Sequence, residues 1–230
     1  MSKIELGDCR KLFKDIPDNS VDLIATSPPY DNIEGAGYQV AQKDILFLSM
    51  YSEFLDEVFD NMYRVLKPTG QIFFNIKSGT SKKNLVTPHW IEFLESFKQF
   101  KLKSYIIWKY SGSFDSTKVR FHLDYEIIYH LSKTDDITIY HDPDEHDPLT
   151  SIWTIPHYIQ KKDRKHPTQF PEALVERMIK RGSKEGDLVL DPFAGSGTTL
   201  AVAKKLGRKY IGFEINPHHF KTIQERLALY

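Results

Sequence analysis

The chain has 230 residues, 40% hydrophobic and 27% charged, enough to bury one substantial core. Lys+Arg and Asp+Glu balance at 31 each, so the overall charge gives no sign of a generally basic nucleic-acid binder. Cys9 is the only cysteine, which excludes an intramolecular disulfide and a thiolate zinc cluster. No apolar run matches a signal peptide or a bilayer span, so a soluble, cytoplasmic protein is expected.

Short apolar runs alternate with longer amphipathic stretches, the pattern of a mainly parallel sheet covered by helices. Ile4–Leu6 reads as a short strand and Val21–Thr26 as a second. From Ile45 to Leu66 a helical stripe carries Tyr51, Phe54, Leu55, Val58, Met62 and Leu66. Lys67-Pro68-Thr69-Gly70 ends that helix before a strand at Gln71–Ile76. Trp90, Phe93, Leu94 and Phe97 mark another helix, followed by β-rich runs at Leu102–Tyr110 and Tyr125–Leu131. Between Ser132 and Lys165 the pattern dissolves into Asp, His, Pro and Lys, as in an insertion. A helix at Pro171–Ile179, a strand at Leu188–Leu190, a helix from about Thr198 to Leu206, a strand at Tyr210–Ile215 and a helix from Pro217 complete the chain. The expectation is a single α/β domain over 1–230: an open, mostly parallel sheet of about seven strands, with an insertion at about 132–165.

Four polar or Gly-rich features fall at carboxyl ends of these strands, where open α/β sheets bind ligands. They are Asp8, Ser27-Pro28-Pro29-Tyr30, the stretch from Asp191 to Gly197, and Glu214. Gly195 and Gly197 permit a tight strand-to-helix turn and a close approach by a ligand. The stretch is not a phosphate loop, because no Lys follows Gly197, and it lacks the third glycine of a dinucleotide fingerprint. Asp191 suits a cationic amine, and Glu214, one strand later, stands where an acidic residue accepts from ribose hydroxyls. A ligand with an amine, a ribose and no required phosphate is S-adenosylmethionine.

Pro28 and Pro29 remove two backbone donors, leaving neighbouring carbonyls as acceptors; Ser27 adds a hydroxyl and Tyr30 an aromatic face. That equipment suits an unstacked base, gripped at its exocyclic amine and stacked on the ring. Accepting the amine hydrogens frees its lone pair for direct attack on a sulfonium methyl.

Together these residues resemble the amino-methyltransferases of bacterial restriction–modification systems, in their β-class motif order. Ser27 to Tyr30 comes first and Phe193-Ala194-Gly195-Ser196-Gly197 last, with Arg64 to Gly70 and His166 to Pro171 between them also similar to family signatures. The resemblance implies a Rossmann-like methyltransferase sheet with helices on both faces. It also implies that Asp191 binds the cofactor's amine, Phe193 packs on its methionine part, and Gly195 and Gly197 shape the loop. Glu214 would bind the ribose, Asp8 the adenine amine, and Thr168 with Gln169 the carboxylate end. Ser27, Pro28, Pro29 and Tyr30 would form the catalytic pocket.

Adenine-N6 members commonly carry Asp or Asn where this chain has Ser27, whereas Thr-Ser-Pro-Pro-Tyr is usual in cytosine-N4 members. The favoured reading is therefore a DNA cytosine-N4 methyltransferase. An adenine-N6 enzyme is the alternative, and a non-catalytic S-adenosylmethionine- or DNA-binding subunit is a reading from another class. Expected partners are double-stranded DNA, a cognate restriction endonuclease acting on the same sequence, and a second copy in a homodimer. Lys161, Lys162, Arg164 and Lys165, beside the irregular stretch, are expected to contact DNA phosphates.

No metal is expected, since His141, Asp142, Asp144, Glu145, His146 and Asp147 show no recognised ligand spacing. Cys9 is set aside as a nucleophile for want of a Pro-Cys dipeptide. Trp108 and Trp153 read as core.

Overall fold

The computed structural model describes residues 2–29, 45–76, 97–110, 121, 123–141, 149–157 and 169–230, with the side chains of 45–52 excepted. Eight strands form one sheet: β1 (Lys3–Leu6), β2 (Val21–Thr26), β3 (Leu66–Ile76), β4 (Lys101–Lys109), β5 (Tyr125–Ser132), β6 (Ile152–Thr154), β7 (Leu188–Asp191) and β8 (Lys209–Glu214). Their order is β1-β8-β7-β2-β3-β5-β4-β6. Only β5 runs antiparallel to its neighbours, β3 and β4. The described helices are α1 (Cys9–Leu12), α2 (Ile45–Val65), α3 (Glu172–Gly182), α4 (Thr198–Lys205) and α5 (Pro217–Leu227).

Alternation along the central strands gives the sheet two apolar faces. On one, Ile24, Ile72, Phe74 and Leu131 pack with Leu55, Val58, Phe59 and Met62 of α2. On the other, Leu23, Phe73, Ile128 and Val189 pack with Leu174, Val175, Met178 and Ile179 of α3 and Val202 of α4. A third cluster seats α5 through Ile223 and Leu227 against Leu200. These clusters put helices on both faces.

The sheet has eight strands rather than the seven expected. The additional strand, β6, lies inside the stretch read as an irregular insertion. Three residues are too few to show a period, but Trp153 is buried and its indole N–H donates to the Thr150 carbonyl. The Trp108 indole, on neighbouring β4, donates to the Ile155 carbonyl. Residues 133–141 are also fastened to the body: Gln71 donates to the Thr138 carbonyl, and Arg181 to the Tyr140 carbonyl.

A second difference concerns Lys67-Pro68-Thr69-Gly70, expected as a helix stop ahead of the strand. The strand already starts at Leu66, which pairs with Val21, and the register then jumps so that Leu23 meets Gln71. The Pro-Thr-Gly stretch is therefore an irregularity within β3, where a proline without an N–H does least harm. The helix anticipated around Trp90, Phe93 and Leu94 lies outside the described residues.

The sheet order fixes where a ligand crevice opens. From β7 the chain proceeds to β8 on one side, and from β2 to β3 on the other. The order thus reverses between β2 and β7, and the crevice lies beyond their carboxyl ends.

Candidate active site

Asp191 closes β7 at that reversal and is only 4% exposed. Its Oδ1 accepts from the Thr26 hydroxyl at 2.6 Å and from the Phe193 N–H at 3.1 Å. Burial raises its carboxyl to about 6, while hydrogen bonds from Thr26, Thr199 and the Phe193 backbone pull the other way. A carboxylate shut away from water at this cost is poised for a cation that enters the same crevice.

The loop after Asp191 turns on Gly195 and Gly197, at φ 53° and 76°, a region side chains rarely adopt. At Gly197 a Cβ would also meet Ile223 at 3.0 Å. Glu214 ends β8 and reaches across to this loop: its Oε2 accepts from the Gly195 N–H at 2.8 Å and its Oε1 from the Asn216 N–H at 2.7 Å. Burial raises its carboxyl too, against those backbone bonds. Each oxygen retains a lone pair with which to accept a hydroxyl.

Asp8 lies one strand further, where the Gly7 N–H donates to the Glu214 carbonyl at 2.9 Å and locks the ends of β1 and β8 together. Its side chain caps α1 by accepting from the Arg10 N–H at 3.0 Å. The Arg10 guanidinium also grips it, with Nη2 2.6 Å from Oδ2, and holds the carboxyl below its usual range. Arg10 rests 5.3 Å from the Phe54 ring, and Phe54 stands 6.0 Å from Phe193. Arg10, Phe54 and Phe193 thus form an apolar and cationic flank beside the acidic ends of β1, β7 and β8.

On the other side of the reversal, Ser27, Pro28 and Pro29 follow β2, with Pro28 buried and Ser27 half-buried. Gln169 is buried just before α3. The structure thus gathers Asp8, Ser27, Pro28, Pro29, Asp191, Phe193, Gly195, Gly197 and Glu214 at one edge of the sheet. Tyr30, Thr168, Lys161, Lys162, Arg164 and Lys165 lie outside the described residues. Cys9 is buried at the start of α1 and its thiol is pushed up to about 12, which removes the thiolate a nucleophile needs.

Three elements of this edge escaped the sequence reading. One is Arg10, whose position two residues after a helix-capping Asp is the only local signal. Another is Thr26, read simply as the end of a strand. The third is a buried polar group on the strands next to β2: Asn75 donates to Glu126 Oε2 at 2.7 Å, and the Tyr110 hydroxyl stands 3.5 Å from Oε1. Asn75 Oδ1 is buried without a partner among the described residues. A polar residue amid an apolar run, as in Phe73-Phe74-Asn75-Ile76, was the signal available.

Comparison with known proteins places this geometry. The N6/N4 methyltransferase model, described as DNA methylase, matches residues 21–225. The type II methyltransferase M.BglII of Bacillus subtilis is 31% identical over 99% of this chain and 69% of its own length. The DNA adenine methyltransferase YhdJ of Escherichia coli K12 is 35% identical over 96% of this chain and 81% of its own. Among solved structures, the DNA modification methylase TTHA0409 of Thermus thermophilus, complexed with S-adenosyl-L-methionine, superposes with a TM-score of 0.76. It is 26% identical, and the match covers 100% of this chain and 94% of that one.

Proposed function

The chain belongs to the N6/N4 DNA methylase family, whose members methylate exocyclic base amines of DNA with S-adenosylmethionine, and within it we propose that this protein methylates N4 of cytosine. The observation that carries the choice is Thr26-Ser27-Pro28-Pro29-Tyr30, with a neutral serine at the end of β2, one residue from the threonine bonded to Asp191.

The cofactor assignment is supported by the chemistry of the donor set. A buried carboxylate for an ammonium, two glycines at positive φ and a second carboxylate one strand on suit the amino acid and ribose ends of S-adenosylmethionine. Asp191 would take the ammonium, Glu214 the ribose hydroxyls, and Asp8, held by Arg10, the adenine amine. Phe193 would pack on the methionine part, with Thr168 and Gln169 at its carboxylate. The bound cofactor supplies an electrophilic methyl group.

Ser27 and the Pro28 carbonyl accept the two hydrogens of the flipped base's amine, driving its nitrogen towards sp³, while Tyr30 stacks on the ring. Both bonds strengthen as positive charge grows on nitrogen, so they favour the transition state over the bound base. No covalent bond between enzyme and base is required, in keeping with the inert Cys9 thiol.

Nucleoside analysis of DNA incubated with the protein and labelled cofactor tests the reading, with N4-methylcytosine the expected product. Recovery of N6-methyladenine would favour the second reading, which the likeness to an adenine methyltransferase supports. DNA left unlabelled would favour a binding subunit. Ser27→Ala is expected to lower kcat by roughly 10- to 100-fold with cofactor affinity retained, and Cys9→Ala to keep full activity.

A further inference from the structure

We propose that Thr26 is a positioning residue that fastens the catalytic turn to the cofactor's docking point, its hydroxyl holding the Asp191 carboxylate and thereby fixing where Ser27, Pro28 and Pro29 stand relative to the methyl donor. The proposal rests on the reading of Asp191 as the ligand of the cofactor's ammonium.

The backbone ladder alone does not secure this junction. β2 and β7 pair at Leu23↔Val189 and Ile24↔Leu190, and the register ends there. Two residues later, at the open end of the crevice, the connection is continued by side chains. Thr26 Oγ1 donates to Asp191 Oδ1 at 2.6 Å, and the Thr199 hydroxyl of α4 reaches the Ala25 carbonyl at a longer 3.4 Å. The Phe193 N–H donates to the same Oδ1 at 3.1 Å, so one carboxylate oxygen gathers the catalytic strand and the cofactor loop.

Thr26 is fully buried, 0% exposed, in a strand whose other inward residues are Leu23, Ile24 and Ala25. Valine would fill the same volume without burying a polar atom, so a hydroxyl here is costly unless it is used. Its use is a charge-assisted bond, which is shorter and stronger than a neutral one.

That bond serves two ends. It favours the anionic form of Asp191 against burial, the form an ammonium requires. It also sets the separation of two reacting parts in a reaction that tolerates little misplacement. Among the described residues around Asp191, β2 and α4 present the hydroxyls of Thr26 and Thr199, while Glu214 on β8 is the ionisable neighbour its charge reaches.

The test compares wild type, Thr26→Val, Thr26→Ser and Asp191→Asn in kcat, DNA affinity, and S-adenosylmethionine affinity as a function of pH. Thr26→Val is expected to lose roughly tenfold or more in kcat with DNA affinity unchanged. Its cofactor affinity should begin to fall about one pH unit higher than in wild type, because the anion has lost a donor. Thr26→Ser should restore both. Wild-type kcat with an unmoved acid limb in Thr26→Val overturns the proposal, as does a loss that serine does not rescue, which would assign Thr26 to packing alone. If Thr26→Val does not fold, Thr26→Ala is read in the same way. Undiminished cofactor affinity in Asp191→Asn overturns the ammonium reading itself, and this proposal with it.

Discussion

At the scale of single residues, the energetics of the site turn on two buried carboxylates that the fold by itself does not favour as anions. Burial lifts Asp191 from an ordinary 3.8 to about 6 in the folded protein. Its neutral form therefore stabilises the fold: that contribution is complete below about 3.8 and is lost as pH climbs through about 6. An ammonium bound at Asp191 reverses the preference. Cofactor affinity is accordingly expected to rise from pH 5 to pH 7 and then level off, and the cofactor's effect on melting temperature should grow over the same interval. Glu214 is shifted in the same direction by burial, so Asp191→Asn isolates the Asp191 part. That variant should show a flatter pH dependence of cofactor-free melting between pH 4 and 7 than wild type. Asp191→Ala should fold yet bind S-adenosylmethionine more weakly by roughly 1.5–3 kcal/mol, the worth of a charge-assisted hydrogen bond. Calorimetry at several pH values checks both expectations, and a pH-independent affinity would remove Asp191 from the site.

At the scale of elements, the starts of two helices carry the cofactor loops, and one side chain from a third helix holds both. Arg226 of α5 donates to Glu172 in the first turn of α3 at 2.6 Å and to the Thr198 hydroxyl at the start of α4 at 2.9 Å. Gln169 precedes α3, and Gly195 with Gly197 precedes α4, so loss of Arg226 loosens both approaches at once. Glu172 is 41% exposed, which places this pair towards the weak end for charged bonds. Arg226→Ala is expected to cost roughly 1–2 kcal/mol of stability and to raise KM for the cofactor while changing kcat little; chemical denaturation and steady-state kinetics measure the two effects. Little of this clamp could be read in advance. The strand ends bearing Asp8, Ser27, Asp191 and Glu214 were legible because each follows an apolar run. Four-residue α1 and three-residue β6 are shorter than the patterns that reveal elements, and the irregularity at Pro68 to Gly70 mimics a helix stop. Pairings such as Thr26 with Asp191, or Asn75 with Glu126, join residues far apart in sequence and leave no local trace.

At the scale of the whole molecule, a protein with no net charge must hold a polyanion through local clusters rather than through its overall field. The sheet places its acidic groups, Asp8, Asp191 and Glu214, at the edge that also carries the catalytic turn, so the crevice suits a cationic cofactor and would repel phosphates left unpaired by basic side chains. The compensating charge has to come from elsewhere, and Lys161, Lys162, Arg164 and Lys165 form the densest basic run in the chain. If these four contact phosphates, binding releases the counterions condensed there, and the logarithm of affinity falls with the logarithm of salt by about 0.9 for each contact. Replacing all four with Gln is therefore expected to reduce the slope of that dependence by up to about 3–4. The loss at low salt should be similar for target and non-target duplexes, because phosphates carry no sequence information. Cofactor affinity should be unchanged, since the cofactor is assigned to the ends of β1, β7 and β8. Fluorescence anisotropy across a salt series, with a specific and a scrambled duplex, measures the slope and the discrimination together. An unchanged slope would make the run a solvated stretch with no part in binding, and a loss confined to the target duplex would instead place these residues at base edges.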